Sequence, residues 1–272
     1  MLGAVRANGA DELTITTNGS MWSAEHVTAI NSLSFDRVMI SVSVDSLDPA
    51  DHDRFRHHPG AFDKARRAID LILAQRSDAV LLSIRMTLRP HQIPDMAAMV
   101  DFAFRLGADR VSMSGIYPSG RAMHDRSLLM SSRDKRQFIQ TIFELRKSYP
   151  PTFGIDTNDP LKCLVRVYSD IGDPGELVFD GCPAAAVTFN VNANGDMTPC
   201  SLLHIPIMNV FGMSVDEMVE AYRTSHIVKD MLDMNLGGKC GACTLKYQCG
   251  GCRARAFAKR GDFLAEDPDC WL

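Results

Sequence analysis

Cysteines occur only in the second part of this sequence, and their spacing constrains the fold more than any other feature. The chain has 272 residues and eight cysteines, none of which precedes Cys163. Seven of them fall in the last third of the chain: Cys182, Cys200, Cys240, Cys243, Cys249, Cys252 and Cys270. Thiolates two residues apart can bind one metal centre, because a tight turn brings both sulfurs to one side. This third of the chain is therefore predicted to be loop-rich and wrapped around metal.

Whether these cysteines form disulfides or bind a metal depends on the redox state of the compartment in which the protein is found. No apolar run approaches the roughly 20 residues that span a bilayer, and the N-terminus lacks the pattern of a signal peptide. We therefore predict a cytoplasmic chain with no membrane partner. In that reducing compartment, clustered cysteines are metal ligands or catalytic groups more often than disulfides.

Charge gives no indication of a nucleic-acid partner, because the formal net charge is only −4. Two short basic stretches, Arg253-Ala-Arg255 and Lys259-Arg260, lie among the cysteines. We expect these to be solvated surface or charges beside the metal, and neither forms a nucleic-acid site.

Two metals are compatible with the spacing. A zinc ribbon needs only the four cysteines from Cys240 to Cys252, which leaves Cys182, Cys200 and Cys270 without a role. Seven or eight soft thiolates suit two four-cysteine iron–sulfur clusters better. The sequence therefore favours one or two iron–sulfur clusters, with zinc as the alternative.

The first 150 residues alternate apolar β-rich runs with amphipathic stretches. The predicted strands are Glu12–Thr17, Arg37–Val44, Ala79–Leu88 and Asp109–Ile116. The predicted helices are Ser23–Leu33, Ala61–Gln75, Pro94–Leu106 and Ser132–Lys147. Alternation of this kind predicts an α/β fold with a parallel sheet, and the apolar strands suggest a sheet covered on both faces.

The character of the sequence changes after Pro150-Pro151, where glycine, proline, aspartate and cysteine increase. Two short strands, Ala186–Asn192 and Asp196–Thr198, flank an Asn194-Gly195 turn and predict a hairpin. Helical periodicity persists in Val215–Asp233. We predict three segments: an α/β domain over 1–150, a linker over 151–180, and a cysteine-rich domain over 181–272.

The cysteine-rich part resembles the SPASM domain, an auxiliary iron–sulfur domain attached to many radical S-adenosylmethionine enzymes. The segments that carry the resemblance are Cys182-Pro-Ala-Ala-Ala, Asn194-Gly195-Asp-Met-Thr-Pro-Cys200, Cys240-Gly-Ala-Cys243, Cys249-Gly-Gly-Cys252-Arg-Ala-Arg255 and Asp267-Pro-Asp-Cys270. The pattern departs from the family at one point, because two residues separate Cys249 from Cys252 where three are usual. Subfamilies similar to haem-precursor and peptide-modifying enzymes share this variant.

The resemblance implies two groups of [4Fe-4S] ligands. The distal group comprises Cys240, Cys243, Cys249 and Cys270. The proximal group comprises Cys182, Cys200 and Cys252. Its fourth ligand is open: Cys163 is one candidate, an open iron position is another, and Cys163 could equally be a partly buried thiol without a ligand role.

The first 150 residues resemble an incomplete (β/α) barrel of the radical S-adenosylmethionine family. The matching segments are Leu13-Thr-Ile-Thr-Thr17-Asn-Gly19, Ile40-Ser-Val-Ser43-Val-Asp-Ser46, His52-Asp-Arg-Phe-Arg56 and Ile116-Tyr-Pro-Ser-Gly-Arg121. The resemblance implies that Ser43 and Arg56 contact the ribose and carboxylate of S-adenosylmethionine. Arg54 is an equal candidate by spacing, and Ser43 could instead be a small residue that fills the barrel.

Two family motifs are missing from the sequence: a Gly-Gly-Glu motif that binds the cofactor's amino group, and a cysteine loop. The family's catalytic cluster is held by a Cys-x3-Cys-x2-Cys loop after the first strand, whereas here no cysteine precedes Cys163. The sequence begins where the second helix of the barrel should end, so we expect it to be truncated by about two βα units. Whether this chain is itself an enzyme therefore stays open, and we expect it to be inactive alone.

The resemblance leaves two substrate classes. A ribosomally made peptide or protein is favoured, and a tetrapyrrole similar to haem precursors is the alternative, with a reductant protein as a further partner. Sulfatase maturation is disfavoured, because those enzymes have an aspartate after the cysteine at the Cys200 position and Ser201 stands here. A non-catalytic metal-binding module, or a scaffold for a separate chain, is the hypothesis from a different class.

Overall fold

The computed structural model describes residues 2–168 and 181–272. The chain forms two compact units, the first made of Met1–Gly115 with Thr141–Asn158 and the second of Ile116–Gln140 with Asp159–Leu272. Part of the linker expected over 151–180, namely residues 169–180, lies outside the described residues.

The first unit is built on a five-stranded sheet in which every neighbouring pair is parallel. In chain order the strands are β1 (Glu12–Thr17), β2 (Arg37–Ser43), β3 (Val80–Leu88), β4 (Arg110–Gly115) and β5 (Gly154–Asp156). The helices are α1 (Leu2–Ala7), α2 (Ala24–Ser32), α3 (Pro49–Arg56), α4 (Ala61–Gln75), α5 (Met96–Arg105) and α6 (Ser132–Arg146), of which α6 runs across both units. The α/β class and the four expected strands are confirmed. The sequence missed β5, which is only three residues long and follows a Pro-Pro turn.

The two faces of this sheet have opposite character. Val38, Ile40 and Val42 of β2 are buried on one face, which α4 and α5 cover. The alternate residues of the same strand carry Ser41 and Ser43 to the other face. The strands therefore alternate with a period of two instead of being apolar throughout, although Ser41 and Ser43 on the polar face are also buried.

The second unit contains a small antiparallel sheet of β6 (Asn190–Val191), β7 (Asp196–Thr198) and β8 (Met208–Asn209). The hairpin expected around Asn194-Gly195 is present, although its first strand is shorter than expected. Gly195 has φ +84°, and a Cβ there would lie 2.8 Å from the ring of Phe211. Glycine is therefore required at this turn by both the backbone and the packing.

The remaining elements of the second unit are short helices: α7 (Lys162–Tyr168), α8 (Val215–Thr224), α9 (His226–Leu232), α10 (Gly238–Ala242), α11 (Lys246–Cys249) and α12 (Arg253–Arg260). The single helix expected over Val215–Asp233 is divided into α8 and α9. Ser225 lies between them, and its ψ of 128° is not helical. None of the helices formed by the described residues is long and apolar enough to cross a membrane.

Candidate metal centre

The four cysteines of the distal group line one cavity of about 260 Å³ in the second unit. Cys240 lies in α10, Cys243 directly follows it, Cys249 ends α11, and Cys270 lies in the C-terminal segment. Apolar side chains, among them Leu164 and Leu245, complete the wall. The fold thus brings Cys270 to the same cavity as three thiols that lie close together in sequence.

Three of these sulfurs accept hydrogen bonds from backbone N–H groups. The donors are Asp267 N to Cys240 at 3.3 Å, Leu245 N to Cys243 at 3.4 Å and Gly251 N to Cys249 at 3.4 Å. Hydrogen bonds to cluster-ligating sulfurs are one of the means by which a protein sets the potential of an iron–sulfur cluster.

Two glycines between Cys249 and Cys252 bring the backbone close to the cavity. Both have positive φ, 64° at Gly250 and 59° at Gly251. A Cβ at Gly251 would lie 2.7 Å from the Cβ of Asp267, so an alanine there requires backbone movement. The Cys-Gly-Gly-Cys segment is therefore required by local geometry.

The proximal group lies in a different environment of the same unit. Cys252 is buried in an apolar cluster with Leu203 and Val228, and Cys182 and Cys200 pack against this cluster. Burial raises the pKa of Cys200, and it raises the pKa of Cys252 to about 12. The thiol form is thus favoured there, and metal binding has to displace protons.

Cys163 in α7 is buried, and its thiol is hydrogen-bonded to that of Cys249. This contact, followed by burial, raises the pKa of Cys249. Cys163 therefore lies beside a member of the distal group, and its assignment as the fourth proximal ligand stays a prediction. Cys182 N donates to Cys249 O at 3.0 Å, which connects the segments that carry the two groups.

The donor set fits an iron–sulfur cluster. Four soft sulfurs surround one cavity, and three of them accept amide hydrogen bonds. Within residues 2–168 and 181–272, no three or more His, Cys, Asp or Glu side chains are arranged to hold a single metal ion. The assignment of particular cysteines to particular clusters stays a prediction.

A buried ion-pair network lies next to both cysteine groups. The guanidinium of Arg255 donates two hydrogen bonds to Asp159, at 2.6 and 3.0 Å, and two to Asp267, at 2.7 and 3.0 Å. Asp267 also accepts from Cys252 N at 2.7 Å, and its own N–H donates to Cys240. Asp267 therefore contacts the proximal group through its carboxylate and the distal group through its backbone N–H.

Further charges extend the network. Lys135 donates to Asp159 at 3.1 Å, and Lys259 donates to Asp269 at 2.7 Å. Burial would raise the pKa of Asp159, but the charges of Arg255 and Lys135 outweigh it and the pKa is lowered. Of the two alternatives for the Arg253-Ala-Arg255 stretch, solvated surface is wrong, because both arginines are buried. The sequence contained only one indication that Arg255 lies beside the cysteines, namely its position three residues after Cys252.

The expected cofactor residues lie in the first unit. Ser43 ends β2 on the polar face and is paired in register with Arg85. Arg56, at the end of α3, donates from Nε to Asp45 Oδ2 at 2.5 Å. The structure thus adds Asp45, a fully buried carboxylate that the sequence did not single out.

Asp45 is held from several directions. Its Oδ1 accepts from Thr87 N at 2.9 Å, and its carbonyl accepts from Gln92 Nε2 at 2.7 Å. Its own N–H donates to Nδ1 of His52 at 3.1 Å, and burial lowers the pKa of that histidine. By contrast Arg54 is exposed and pairs with Asp51.

No family model matches the chain, but comparison with known proteins finds similar sequences. The AdoMet-dependent heme synthase of Methanosarcina barkeri is 27% identical over 94% of this chain and 73% of that protein. The PqqA peptide cyclase of Streptomyces rochei is 25% identical over 100% of this chain and 71% of that protein.

Solved structures share the fold. Streptococcus suis SuiB bound to its precursor peptide SuiA aligns with a TM-score of 0.70, at 16% identity over 95% of this chain and 58% of that one. Native anSMEcpe with bound AdoMet and the Cp18Cys peptide aligns with a TM-score of 0.68, at 14% identity over 94% of this chain and 70% of that one. Fold and cysteine arrangement together define an α/β protein with a cysteine-rich domain. In sequence the chain is similar to AdoMet-dependent heme synthases and PqqA peptide cyclases, and these likenesses agree with the resemblance to radical S-adenosylmethionine enzymes that carry a SPASM domain.

Proposed function

We propose that this chain, with its parallel-sheet unit and its cysteine-rich unit, acts as a cytoplasmic radical S-adenosylmethionine protein that modifies a peptide. The observation that carries the proposal is the single cavity walled by Cys240, Cys243, Cys249 and Cys270. The relatives support the class, and solved neighbours with bound AdoMet and peptides support both the cofactor and the substrate.

In this proposal the distal group holds one [4Fe-4S] cluster and the proximal group holds a second, with Cys163 as the candidate fourth ligand. Bound clusters would supply electron transfer or a binding position for the substrate. The chain's own contribution is positioning. Backbone N–H groups fix three distal sulfurs, and Asp267 contacts segments of both groups.

We propose that Ser43 and Arg56 hold S-adenosylmethionine. Ser43 contributes a hydroxyl at the carboxyl end of β2, and Arg56 contributes a guanidinium from the helix that follows. Asp45 accepts a hydrogen bond from Nε of Arg56 and so fixes the orientation of the guanidinium. The other two guanidinium nitrogens are oriented by this contact. A guanidinium is suited to this task because it pairs with a carboxylate through two parallel hydrogen bonds.

Reductive cleavage of S-adenosylmethionine needs a catalytic cluster, and this sequence has no cysteine before Cys163. We therefore propose that these 272 residues by themselves bind clusters without generating a radical. In a system that also contains the catalytic cluster, a reductant protein would supply the electron for this cleavage. If the chain is instead a scaffold, it should associate with a separate chain, which size-exclusion chromatography would detect.

A tetrapyrrole is the second candidate substrate. It is favoured by the similarity to heme synthases, at 27% and 25% identity over 94% of the chain. The peptide is supported by similarity to peptide cyclases and by neighbours crystallised with peptides.

Anaerobic reconstitution with iron and sulfide tests the cluster assignment. We expect stoichiometric iron and acid-labile sulfide, a loss of about half of both in Cys249→Ser, and a separate loss in Cys252→Ser. Cys163→Ser measures whether that thiol is a ligand. Stoichiometric zinc without labile sulfide would refute the iron–sulfur assignment, and formation of 5′-deoxyadenosine by the chain alone would refute its predicted inactivity.

A further inference from the structure

The side chain of Arg253 is a buried cation that pairs with no acid. It lies in the first turn of α12 and is 4% exposed. Its Nη1 donates to the carbonyl oxygens of Phe263 at 2.8 Å and Ala265 at 2.7 Å. In the part of the chain that the structure describes, its Nε and Nη2 have no hydrogen-bond partner and the guanidinium forms no ion pair. A buried charge without a counter-charge is costly, so it calls for an explanation.

The carboxylates of the buried network already have other cations. The ion pairs are Asp159–Arg255, Asp267–Arg255 and Asp269–Lys259. Among the described residues, none of these carboxylates forms an ion pair with Arg253. The counter-charge of Arg253 therefore has to come from a group other than these acids.

The guanidinium of Arg253 lies against the turn between Cys249 and Cys252. Its Nη2 lies 2.8 Å from the position that a Cβ of Gly251 would occupy. Gly251 belongs to the wall of the distal cavity, and its N–H donates to the sulfur of Cys249 at 3.4 Å. Because residue 251 has no side chain, the guanidinium approaches a turn whose backbone contacts a distal ligand.

A four-cysteine iron–sulfur cluster is an anion, and the proposed function puts one in this cavity. The thiolate ligands outweigh the positive charge of the iron–sulfur core, and reduction adds a further electron. A guanidinium is always charged and presents its N–H donors in a rigid fork. Net charge and hydrogen bonds to sulfur are two of the properties that set the reduction potential of such a cluster.

We propose that Arg253 is the counter-charge of the distal cluster, and that Nε or Nη2 donates a hydrogen bond to a sulfur of the cluster or of one of its ligands. This inference rests on the proposed function, because it needs a cluster in the distal cavity. A nearby positive charge stabilises the more negative, reduced state more than the oxidised state. Arg253 therefore raises the reduction potential of the distal cluster without being one of its ligands.

An anaerobic redox titration of the reconstituted 272-residue chain, followed by electron paramagnetic resonance, tests the proposal. Cys182→Ser serves as the background, because it removes a proximal ligand and leaves the distal group complete. In this background we expect Arg253→Gln to reduce the equilibrium constant for cluster reduction at least 10-fold, which for one electron is a potential lower by about 59 mV. Arg253→Lys keeps the charge and should lower the potential less than Arg253→Gln does.

Arg260→Gln is the matched control on the same helix, because its side chain is 54% exposed and pairs with Glu266. It should leave the potential unchanged. Iron and acid-labile sulfide content separates the two proposals. A chain without a cluster would refute the proposed function and this inference together. A chain that holds the cluster but has the same potential in Arg253→Gln as with arginine would refute this inference alone.

A spectroscopic measurement on the chain with its arginine intact keeps the test valid if Arg253→Gln does not fold. With arginine labelled by ¹⁵N in the guanidinium, pulsed electron paramagnetic resonance of the reduced distal cluster should show a ¹⁵N coupling. The coupling should be lost or strongly reduced in Arg253→Lys, whose ammonium carries no label. Absence of the coupling with arginine in place, or an undiminished coupling in Arg253→Lys, would overturn the proposal.

Discussion

The guanidinium of Arg255 should be the most sensitive single group for the stability of the second unit. It is fully buried and makes two hydrogen bonds to each of two buried carboxylates, Asp159 and Asp267. Arg255→Met keeps the volume but leaves both carboxylates without their shared cation. Removing one partner of a buried ion pair typically costs about 3–5 kcal/mol.

The surrounding contacts place the expected value at the lower end of that range. Asp159 keeps Lys135 at 3.1 Å, and Asp267 keeps the amide donor of Cys252 at 2.7 Å. We therefore expect Arg255→Met to lower the free energy of unfolding by about 3 kcal/mol at pH 7. The loss should shrink as pH falls toward about 4, because the uncompensated carboxylates then become protonated.

Urea denaturation of the metal-free chain measures this effect. The chain has two tryptophans, so Trp22→Phe leaves Trp271, adjacent to Cys270, as the reporter of the second unit. Arg260→Met is the matched control on the same helix, because its side chain is 54% exposed and pairs with Glu266 at 3.4 Å. We expect it to change stability by less than about 0.5 kcal/mol. Equal stability of the two variants would refute the role given to Arg255.

Two further predictions concern acid stability and the glycines. The Arg89 hydrogen bond lowers the pKa of Asp51 to about 2, so this carboxylate should stabilise the first unit above about pH 4 and lose that effect as pH falls toward 2. Asp51→Asn should cost about 2 kcal/mol at neutral pH and flatten the acid limb of a stability–pH curve, and an unchanged limb would contradict this. Gly251→Ala should lower iron and sulfide content, because its Cβ would lie 2.7 Å from that of Asp267. Gly261 also has a positive φ, but a Cβ there would meet open space, so Gly261→Ala should cause only a small loss of stability. Equal iron loss in the two variants would argue against the steric cause.

Local pattern was sufficient for the four longer strands of the first unit and for most of its helices. The strand Glu12–Thr17 and the helix Ala61–Gln75 have the expected bounds, because hydrophobic period and turn residues are local properties. Local sequence pattern did not predict two features whose bounds are set by tertiary contacts. β5 is too short to carry a periodicity, and the break at Ser225 divides a continuous amphipathic pattern.

The sequence by itself was enough to predict that the cysteines act together, since the Cys-x2-Cys spacing and the absence of cysteine before Cys163 are features of the sequence alone. Only the tertiary structure decided which thiols share a cavity, because Cys240 and Cys270 meet through folding and not through local spacing. The same holds for Arg255, which looks like a surface residue in sequence. It is buried because the carboxylates of Asp159, 96 residues away in the chain, and Asp267, 12 residues away, converge on it and offset the cost of removing its charge from water.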